Sequence, residues 1–223
     1  MHQTVSCRIA VHAITVSSVI ALLAAVALGV RADEPKVDKD GFRSLFDGRS
    51  LDGWEGNLEY WKVRDGMIVG DSPGIKHNEF LCTKETFGDF ELRVTFRIIG
   101  DQSANSGVQF RSKRVPNNTE VSGYQADVGQ NYWGCLYDES RRNKVLVQAP
   151  ADELAKVVKK DDWNTYVIRC AGPRITLTLN GLKTVDYTEP DDSIVRSGVI
   201  GLQIHGGKKL QAQFKEIRIR RLK

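Results

Sequence analysis

The segment 123–142, GYQADVGQNYWGCLYDESRR, concentrates residues that could bind and transform a polyhydroxylated molecule. Gln125 and Asp127 lie two positions apart between apolar neighbours, so on a β-strand both side chains would point to one face. Amides, carboxylates and guanidinium groups can hydrogen-bond hydroxyls, while aromatic rings can pack against the C–H faces of sugars. The segment therefore predicts a site that faces a carbohydrate.

Two further polar pairs at the same spacing extend this prediction to other strands. Gln109 precedes Arg111 by two positions, and Gln203 precedes His205 by two, each within alternating apolar sequence. Each pair should leave the core on one side of its own strand. We therefore expect these pairs and the segment 123–142 to converge on the concave face of one sheet.

Most of the chain is typical of short strands separated by turn residues. Residues 90–98 alternate strictly between apolar and polar types, and the Asp-Gly and Asn-Gly dipeptides at 65–66 and 180–181 indicate hairpin turns. A third hairpin should join 199–204 to 210–219 through a Gly-Gly turn. Strands without a βαβ rhythm predict an all-β fold, a two-sheet antiparallel sandwich.

The amino-terminal residues 1–32 are typical of a secretory signal, with basic but no acidic residues, an uncharged apolar run over 9–30 and small residues near Ala32. A run of this length would also suit a membrane anchor, although its hydroxyl residues and the cleavage junction favour export. We predict a signal peptide over 1–32, a charged lead-in over 33–40 and one domain over 41–223. The mature protein should be periplasmic or extracellular, without stable membrane association.

Charge and cysteine content exclude other classes of function. Removal of residues 1–32 leaves 30 basic and 28 acidic residues, a net charge of +2, and no basic cluster is dense enough to indicate nucleic-acid binding. Cys82, Cys135 and Cys170 have no metal-ligand spacing and allow at most one disulfide. Neither nucleic acid nor cysteine chemistry is expected.

Several segments together resemble the 3-keto-disaccharide hydrolase domain family of the concanavalin A-like lectin/glucanase superfamily. They are 41–54 (GFRSLFDGRSLDGW), 105–111 (NSGVQFR), 123–127 (GYQAD), 136–138 (LYD), 163–166 (WNTY), 179–181 (LNG) and 201–206 (GLQIHG). The resemblance implies a concanavalin A-like jelly roll that cleaves sugars already oxidised to a ketone at C3. Many members have Glu-Tyr-Gln where this chain has Gly123-Tyr-Gln, so the role of that Glu is not transferred.

Cleavage beside a C3 ketone requires a base near C2, a group that stabilises the enolate oxygen and an acid for the leaving group. We expect Asp127 or His205 to act as the base and Arg111 to hold the enolate oxygen. Glu139, or its neighbour Asp138, would be the acid. The expected substrate-binding residues are Gln109, Arg111, Gln125, Trp133, Tyr137 and Gln203, with an oxidised 3-keto mono- or disaccharide as the partner.

Other interpretations stay open at this point. His205 could only cap a turn, and Asp127 could be a structural partner of Arg111 or Arg141. The carboxylates and histidines could hold a divalent metal ion, either catalytic or a structural calcium ion. The protein could instead be a non-catalytic carbohydrate-binding module, or a two-carboxylate glucanase, for which the segment Glu189-Pro-Asp is a poor match.

Overall fold

The computed structural model describes Met1 and residues 37–223, and the predicted signal peptide lies outside the described residues. Two antiparallel β-sheets pack against each other, which confirms the predicted all-β jelly-roll class. Sheet A comprises β1 (Arg43–Ser44), β3 (Trp61–Arg64), β4 (Met67–Ser72), β6 (Phe90–Gly100), β11 (Asn164–Ala171), β12 (Arg174–Leu179), β13 (Leu182–Thr188) and β15 (Leu210–Arg221). Sheet B comprises β2 (Trp54–Glu55), β5 (Glu79–Thr83), β7 (Asn105–Arg114), β8 (Val121–Gly129), β9 (Leu136–Glu139), β10 (Lys144–Val147) and β14 (Val199–Ile204).

The strand order explains how distant segments become neighbours. Sheet A runs β13-β12-β11-β6-β15-β4-β3, with β1 also paired to β15, and sheet B runs β10-β9-β8-β7-β14-β5-β2. The polar pairs predicted from the sequence therefore lie on β7, β8 and β14, which are adjacent in sheet B. Sheet topology, rather than proximity along the chain, brings these residues together.

The core lies between the sheets and follows the alternation read from the sequence. On β6 the apolar residues of 90–98 are all buried and belong to one hydrophobic cluster with the inward residues of sheet B. Burying each such side chain contributes about 1.5–3 kcal/mol. The polar residues of β7, β8 and β14 alternate with these inward residues and so emerge on the outer face of sheet B.

Two of the three predicted hairpins are confirmed and the third is wrong. β3 pairs with β4, and β12 pairs with β13. However, β14 lies between β7 and β5 in sheet B, while β15 lies between β6 and β4 in sheet A. The Gly206-Gly207 turn thus carries the chain from one sheet to the other. Alternation shows which side chains face the core, but it does not show which strand is the hydrogen-bonding partner.

The described residues also include a short helix and three buried cysteines. The one helix among the described residues, α1 (Ala151–Val157), buries Leu154. No described helix has the length and apolar character needed to cross a membrane. The three cysteines expected in the mature chain are buried free thiols.

Candidate functional site

The outer face of sheet B carries most of the predicted polar site. Gln109 on β7 pairs with Gln125 on β8, which in turn pairs with Tyr137 on β9. Asp127 and Gln203 lie one alternation step further along their strands and are also buried. We call this group, together with Glu139, the polar face.

A chain of hydrogen bonds orients the polar face. Ser112 Oγ donates to Gln109 Oε1 (2.8 Å), and Gln109 Nε2 donates to Gln125 Oε1 (2.9 Å). Gln125 Nε2 then donates to Asp127 Oδ2 (3.0 Å). All four side chains are buried, so a broken bond would leave a polar atom away from water. The chain consequently directs its amide donors toward Asp127.

Asp127 is a buried carboxylate held by hydrogen-bond donors. Asn105 Nδ2 (2.9 Å) and the backbone N–H of Val128 (2.8 Å) both donate to its Oδ1. Burial raises the pKa of Asp127 to about 7 although these donors favour the ionised form, and the charge of Glu139 adds to the increase. All of these hydrogen-bond donors are neutral amide or backbone groups. Asp127 is therefore able to exchange a proton near neutral pH.

Glu139 is the second carboxylate of the polar face. Burial, followed by the charge of Glu120, raises its pKa to about 7, while Ser140 and Gln203 oppose the increase. Gln203 Oε1 accepts a long hydrogen bond from Gln125 Nε2 (3.4 Å), whereas Gln203 Nε2 is buried without a well-formed hydrogen bond. The polar face thus combines two carboxylates of raised pKa with an amide, Gln203 Nε2, that lies close to Glu139 without a well-formed hydrogen bond.

Two glycines make this arrangement possible. Gly107 lies opposite Asp127, and a Cβ at this position would come within 2.4 Å of Gln125, whose side chain lies across it. Gly123 lies opposite Glu139 with a φ of +152°, and a Cβ there would come within 2.2 Å of Ser112 Oγ. The absence of a Glu at 123 is consequently a steric requirement of this chain.

The aromatic residues beside the polar face are Tyr137 and Tyr132. Their ring centroids are 6.2 Å apart in an edge-to-face contact, and burial followed by the charge of Glu139 raises the pKa of Tyr137. Tyr132 directly precedes Trp133, the stacking residue predicted from its polar neighbours Gln130 and Asn131. The side to which a turn residue points does not follow from strand alternation.

Trp133 does not join the polar face. Its ring stacks on Phe96 of sheet A with centroids 6.3 Å apart, and it packs against the core between the sheets. The structure therefore does not place Trp133 with the other substrate-binding residues expected from the sequence. The residue is partly exposed at the end of the sandwich.

Arg111 also lies elsewhere, which corrects the expectation that it shares a face with Gln109. A β-bulge between Phe110 and Lys113 gives Arg111 a φ of +46° and shifts the alternation, so that Ser112 takes the position beside Gln109. The Arg111 guanidinium donates to the carbonyl oxygens of Gly88 and Gly172 and to Asp89. Arg111 is therefore a structural cation that ties the β5–β6 and β11–β12 loops to β7.

Asp138 is likewise committed to structure. Arg141 Nε donates to Asp138 Oδ1 (2.8 Å), and Arg142 bonds to both Asp138 and Glu189. Tyr124 O–H donates to Glu189 Oε2 (2.5 Å). We call these five residues the ionic cluster. Asp138 is therefore bound by arginines and is no longer a candidate acid. Glu189, the Glu of the Glu-x-Asp segment, is bound in the same cluster.

His205 follows the last residue of β14. It is half-buried, its Nδ1 is 2.6 Å from the carbonyl oxygen of Gly206, and Asn78 Oδ1 accepts the Gly206 N–H (2.9 Å). Among the described residues, its ring makes no hydrogen bond to Asp127 or Glu139. The catalytic role of His205 stays a prediction.

The donor set does not form a metal centre by itself. Within Met1 and residues 37–223, no three His, Cys, Asp or Glu side chains cluster closely enough to hold one metal ion. The polar face offers two carboxylates and amide oxygens only. We therefore derive no chemical step through a metal.

Solved structures share this fold. Two provisionally named glycosyl hydrolases from Parabacteroides distasonis match with TM-scores of 0.63 and 0.61 at 18% and 24% identity, covering 82% and 81% of this chain and 95% and 99% of theirs. A galectin-like protein of unknown function from Bacillus subtilis matches with a TM-score of 0.59 at 11% identity, covering 77% of this chain and 90% of its own. At these identities the likeness concerns the fold.

Sequence comparison is more specific. No curated protein matches significantly. Residues 41–220, however, match the 3-keto-alpha-glucoside-1,2-lyase-like domain. This match spans both sheets and includes every residue of the polar face. The chain belongs to the 3-keto-alpha-glucoside-1,2-lyase-like domain family, also called the 3-keto-disaccharide hydrolase domain family.

Proposed function

We propose that this protein is an exported enzyme that cleaves 3-keto-glycosides on the polar face. The observation that carries the proposal is the pair Asp127 and Glu139, two carboxylates on one face whose pKa values are both raised to about 7. Burial is the largest cause of both shifts, and the charge of Glu139 adds to that of Asp127, so near neutral pH each carboxyl is present in both its protonated and its ionised form. Such a pair can supply a base and an acid together.

The reaction would proceed by elimination followed by hydration. The ionised carboxylate removes the proton from C2, and the C–H electron pair forms a C2=C3 enolate with negative charge on the C3 oxygen. The enolate collapses to the ketone, forming C1=C2 and breaking the C1–O bond, while the protonated carboxylic acid transfers its proton to the departing oxygen. Water then adds to C1 and C2 regains a proton, so the net result is hydrolysis.

The contacts of each residue suggest the assignment of roles. Asp127 is the proposed base, because the donors Gln125, Asn105 and Val128 N–H stabilise its ionised form. Glu139 is the proposed acid. Gln203 Nε2, buried without a well-formed hydrogen bond, is the proposed donor to the enolate oxygen in place of Arg111.

Two alternatives are less well supported. A non-catalytic carbohydrate-binding module would use the amides and tyrosines, but it would not need two buried carboxylates that titrate near neutral pH. A conventional glucanase would need a free carboxylate pair, and Glu189 is held by Arg142 and Tyr124. Both alternatives predict no preference for an oxidised sugar.

The deciding experiment compares a 3-keto-glucoside with its unoxidised parent, using the protein without residues 1–32, with and without a chelator. Cleavage of only the oxidised compound is the expected result. Cleavage of both compounds would indicate a glucanase, and saturable binding without cleavage would indicate a binding module. Loss of activity on chelation, restored by one added divalent cation, would show that the reaction requires a metal ion. Export is tested separately by N-terminal sequencing in the native host, where a chain beginning near Asp33 is expected.

A further inference from the structure

Trp133 is the outer member of a three-ring stack that reaches from the core to the surface. Tyr166 and Phe96 stack with centroids 5.1 Å apart and an interplanar angle of 22°, and Phe96 and Trp133 follow at 6.3 Å and 28°. Tyr166 is fixed in turn, because its O–H donates to the Asp127 carbonyl oxygen (2.6 Å). Trp133 is consequently a rigid surface ring whose position costs little entropy on binding a ligand.

Two clefts adjoin at this ring. The first has a volume of about 640 Å³ and lies between the β6–β7 turn, the β8–β9 turn and the segment before β11. The second, of about 710 Å³, lies between the β8–β9 turn and α1. Both are lined by Trp133, Gln130, Asn131 and Val158, and each falls within the size range of small-molecule sites. Neither is lined by a residue of the polar face.

The first cleft has the chemistry of a sugar site. Its lining combines the aromatic ring with amide, hydroxyl, carboxylate and ammonium groups, including Asn131, Asp161 and Lys160. The indole N–H of Trp133 donates to no acceptor among the described residues, so it can hydrogen-bond a ligand. An aromatic face surrounded by mixed polar groups suits the alternating C–H and O–H surfaces of a pyranose.

Trp163 is a tryptophan of this protein whose ring is already covered by cationic side chains. Lys215 Nζ lies 4.0 Å and the Arg97 guanidinium carbon 4.7 Å from its ring centroid. These cations cover the ring through cation–π contacts. Trp133 has no such cation among residues 37–223, so the ring face opposite Phe96 and the indole N–H are not covered by a cation.

We infer that the clefts around Trp133 form a second carbohydrate-binding site, separate from the polar face, which holds a linear oligosaccharide without cleaving it. The ligand is a neutral glycan, because the clefts combine an aromatic ring with hydrogen-bonding groups of both charges rather than with a cluster of one sign. Such a site would retain the protein on a glycan from which its substrate derives. The inference does not depend on the reaction proposed for the polar face.

The test follows the four tryptophan indole N–H signals in a ¹H–¹⁵N spectrum during titration with cellohexaose and, separately, with maltohexaose. The signal missing from Trp133→Phe identifies Trp133, and Trp163→Phe identifies the matched control. The Trp133 signal should shift saturably with at least one glycan while the Trp163 signal stays constant. Asp127→Asn should give the same titration, and Trp133→Ala should weaken binding about tenfold or more.

Because Trp133→Ala also removes packing against Phe96, Asn131→Ala provides a variant at the rim that leaves the ring stack intact. It should weaken glycan binding measurably and leave cleavage of a 3-keto-glucoside unchanged. A constant Trp133 signal with both glycans would overturn the inference. Loss of glycan binding in Asp127→Asn, with retention in Asn131→Ala, would also overturn it by placing the glycan on the polar face.

Discussion

Asp138 and Glu139 are neighbours on β9, yet they belong to two regions in which carboxylates have different kinds of partner. Asp138 points inward to the ionic cluster, where Arg141 and Arg142 bind it. In the same cluster the pKa of Glu189 is held at about 2, because its hydrogen bonds with Arg142 and Tyr124 outweigh the effect of burial. Glu139 points outward to the polar face, whose carboxylates are surrounded by amides and hydroxyls. Cationic partners keep a buried carboxylate ionised, whereas neutral donors leave it able to titrate.

The largest expected effect comes from removing a cation of the ionic cluster, and it is an effect on stability. Arg142→Ala removes a cation shared by Asp138 and Glu189 and leaves buried negative charge, so the free energy of unfolding should fall by about 3 kcal/mol. Urea denaturation measures this change. The matched control is Arg174→Ala, which breaks an exposed pair with Asp186 and should cost far less. Equal losses in the two variants would mean that the ionic cluster is not a stabilising element.

The next effect is on catalysis. Asp127→Asn and Glu139→Gln should each reduce kcat/KM for a 3-keto-glucoside about a hundredfold or more, because each removes one group of the acid–base pair. Asp186→Asn, an exposed carboxylate on sheet A, is the control and should keep full activity. Circular dichroism should show that the variants keep the fold.

His205→Ala decides whether the base predicted from the sequence contributes. A loss as large as that of Asp127→Asn would assign proton transfer to His205, and an unchanged rate would confine it to the turn that its Nδ1 contact indicates. Full activity of both Asp127→Asn and Glu139→Gln would move the chemistry away from the polar face.

The third effect concerns pH and differs in sign between the two regions. The pKa of Asp127 is raised in the folded protein, so between about pH 4 and pH 7 the unfolded chain loses a proton that the folded protein keeps, and stability should fall as pH rises. Asp127→Asn should remove at least about 1.4 kcal/mol of this decline, the equivalent of one pKa unit.

Glu189 should behave in the opposite way. Its folded pKa is about 2, so its contribution is present above its ordinary pKa and is lost as pH falls toward 2. Glu189→Gln should therefore reduce the acid sensitivity of the fold. Thermal unfolding of the wild type and both variants from pH 3 to pH 8 measures these slopes. Parallel curves for Asp127→Asn and the wild type would contradict the assignment of a raised pKa.

The smallest effect is expected at the beginning of the hydrogen-bond chain. Ser112→Ala leaves Gln109 Oε1 without its donor and should cost about 1 kcal/mol of stability. Thr165→Ala, an exposed hydroxyl on sheet A, is the control. If Ser112→Ala also lowers turnover, the orientation of the amides matters to the reaction. An unchanged stability would show that the chain tolerates an open end.

The sequence was sufficient for features that depend on local pattern. The alternation over 90–98 and the turns at 65–66 and 180–181 predicted strands and hairpins that the structure confirms. Gln125 and Asp127 could be placed on one face of their strand, because period-two alternation is reliable within a regular strand. The family resemblance added the concanavalin A-like jelly roll to the two-sheet sandwich that the strand pattern predicts.

The failures all occur where regular alternation ends. The bulge at Arg111 inserts one residue and reverses the face, the turn at Trp133 has no fixed period, and the turn after β14 changes sheet. The ionic cluster depends on Arg142 meeting Glu189, which lies far away in sequence, and no local pattern indicates that contact.

The hydroxyl that begins the hydrogen-bond chain gives the polar face a property that a chain of amides alone would lack. When Asp127 accepts a proton, its oxygen becomes a donor and needs an acceptor. Gln125 and Gln109 can each rotate their amides to reverse the direction of every bond, and Ser112 can then accept instead of donate. The row of dipoles can thus follow the protonation state of the base, and both halves of a catalytic cycle would find Asp127 fully hydrogen-bonded.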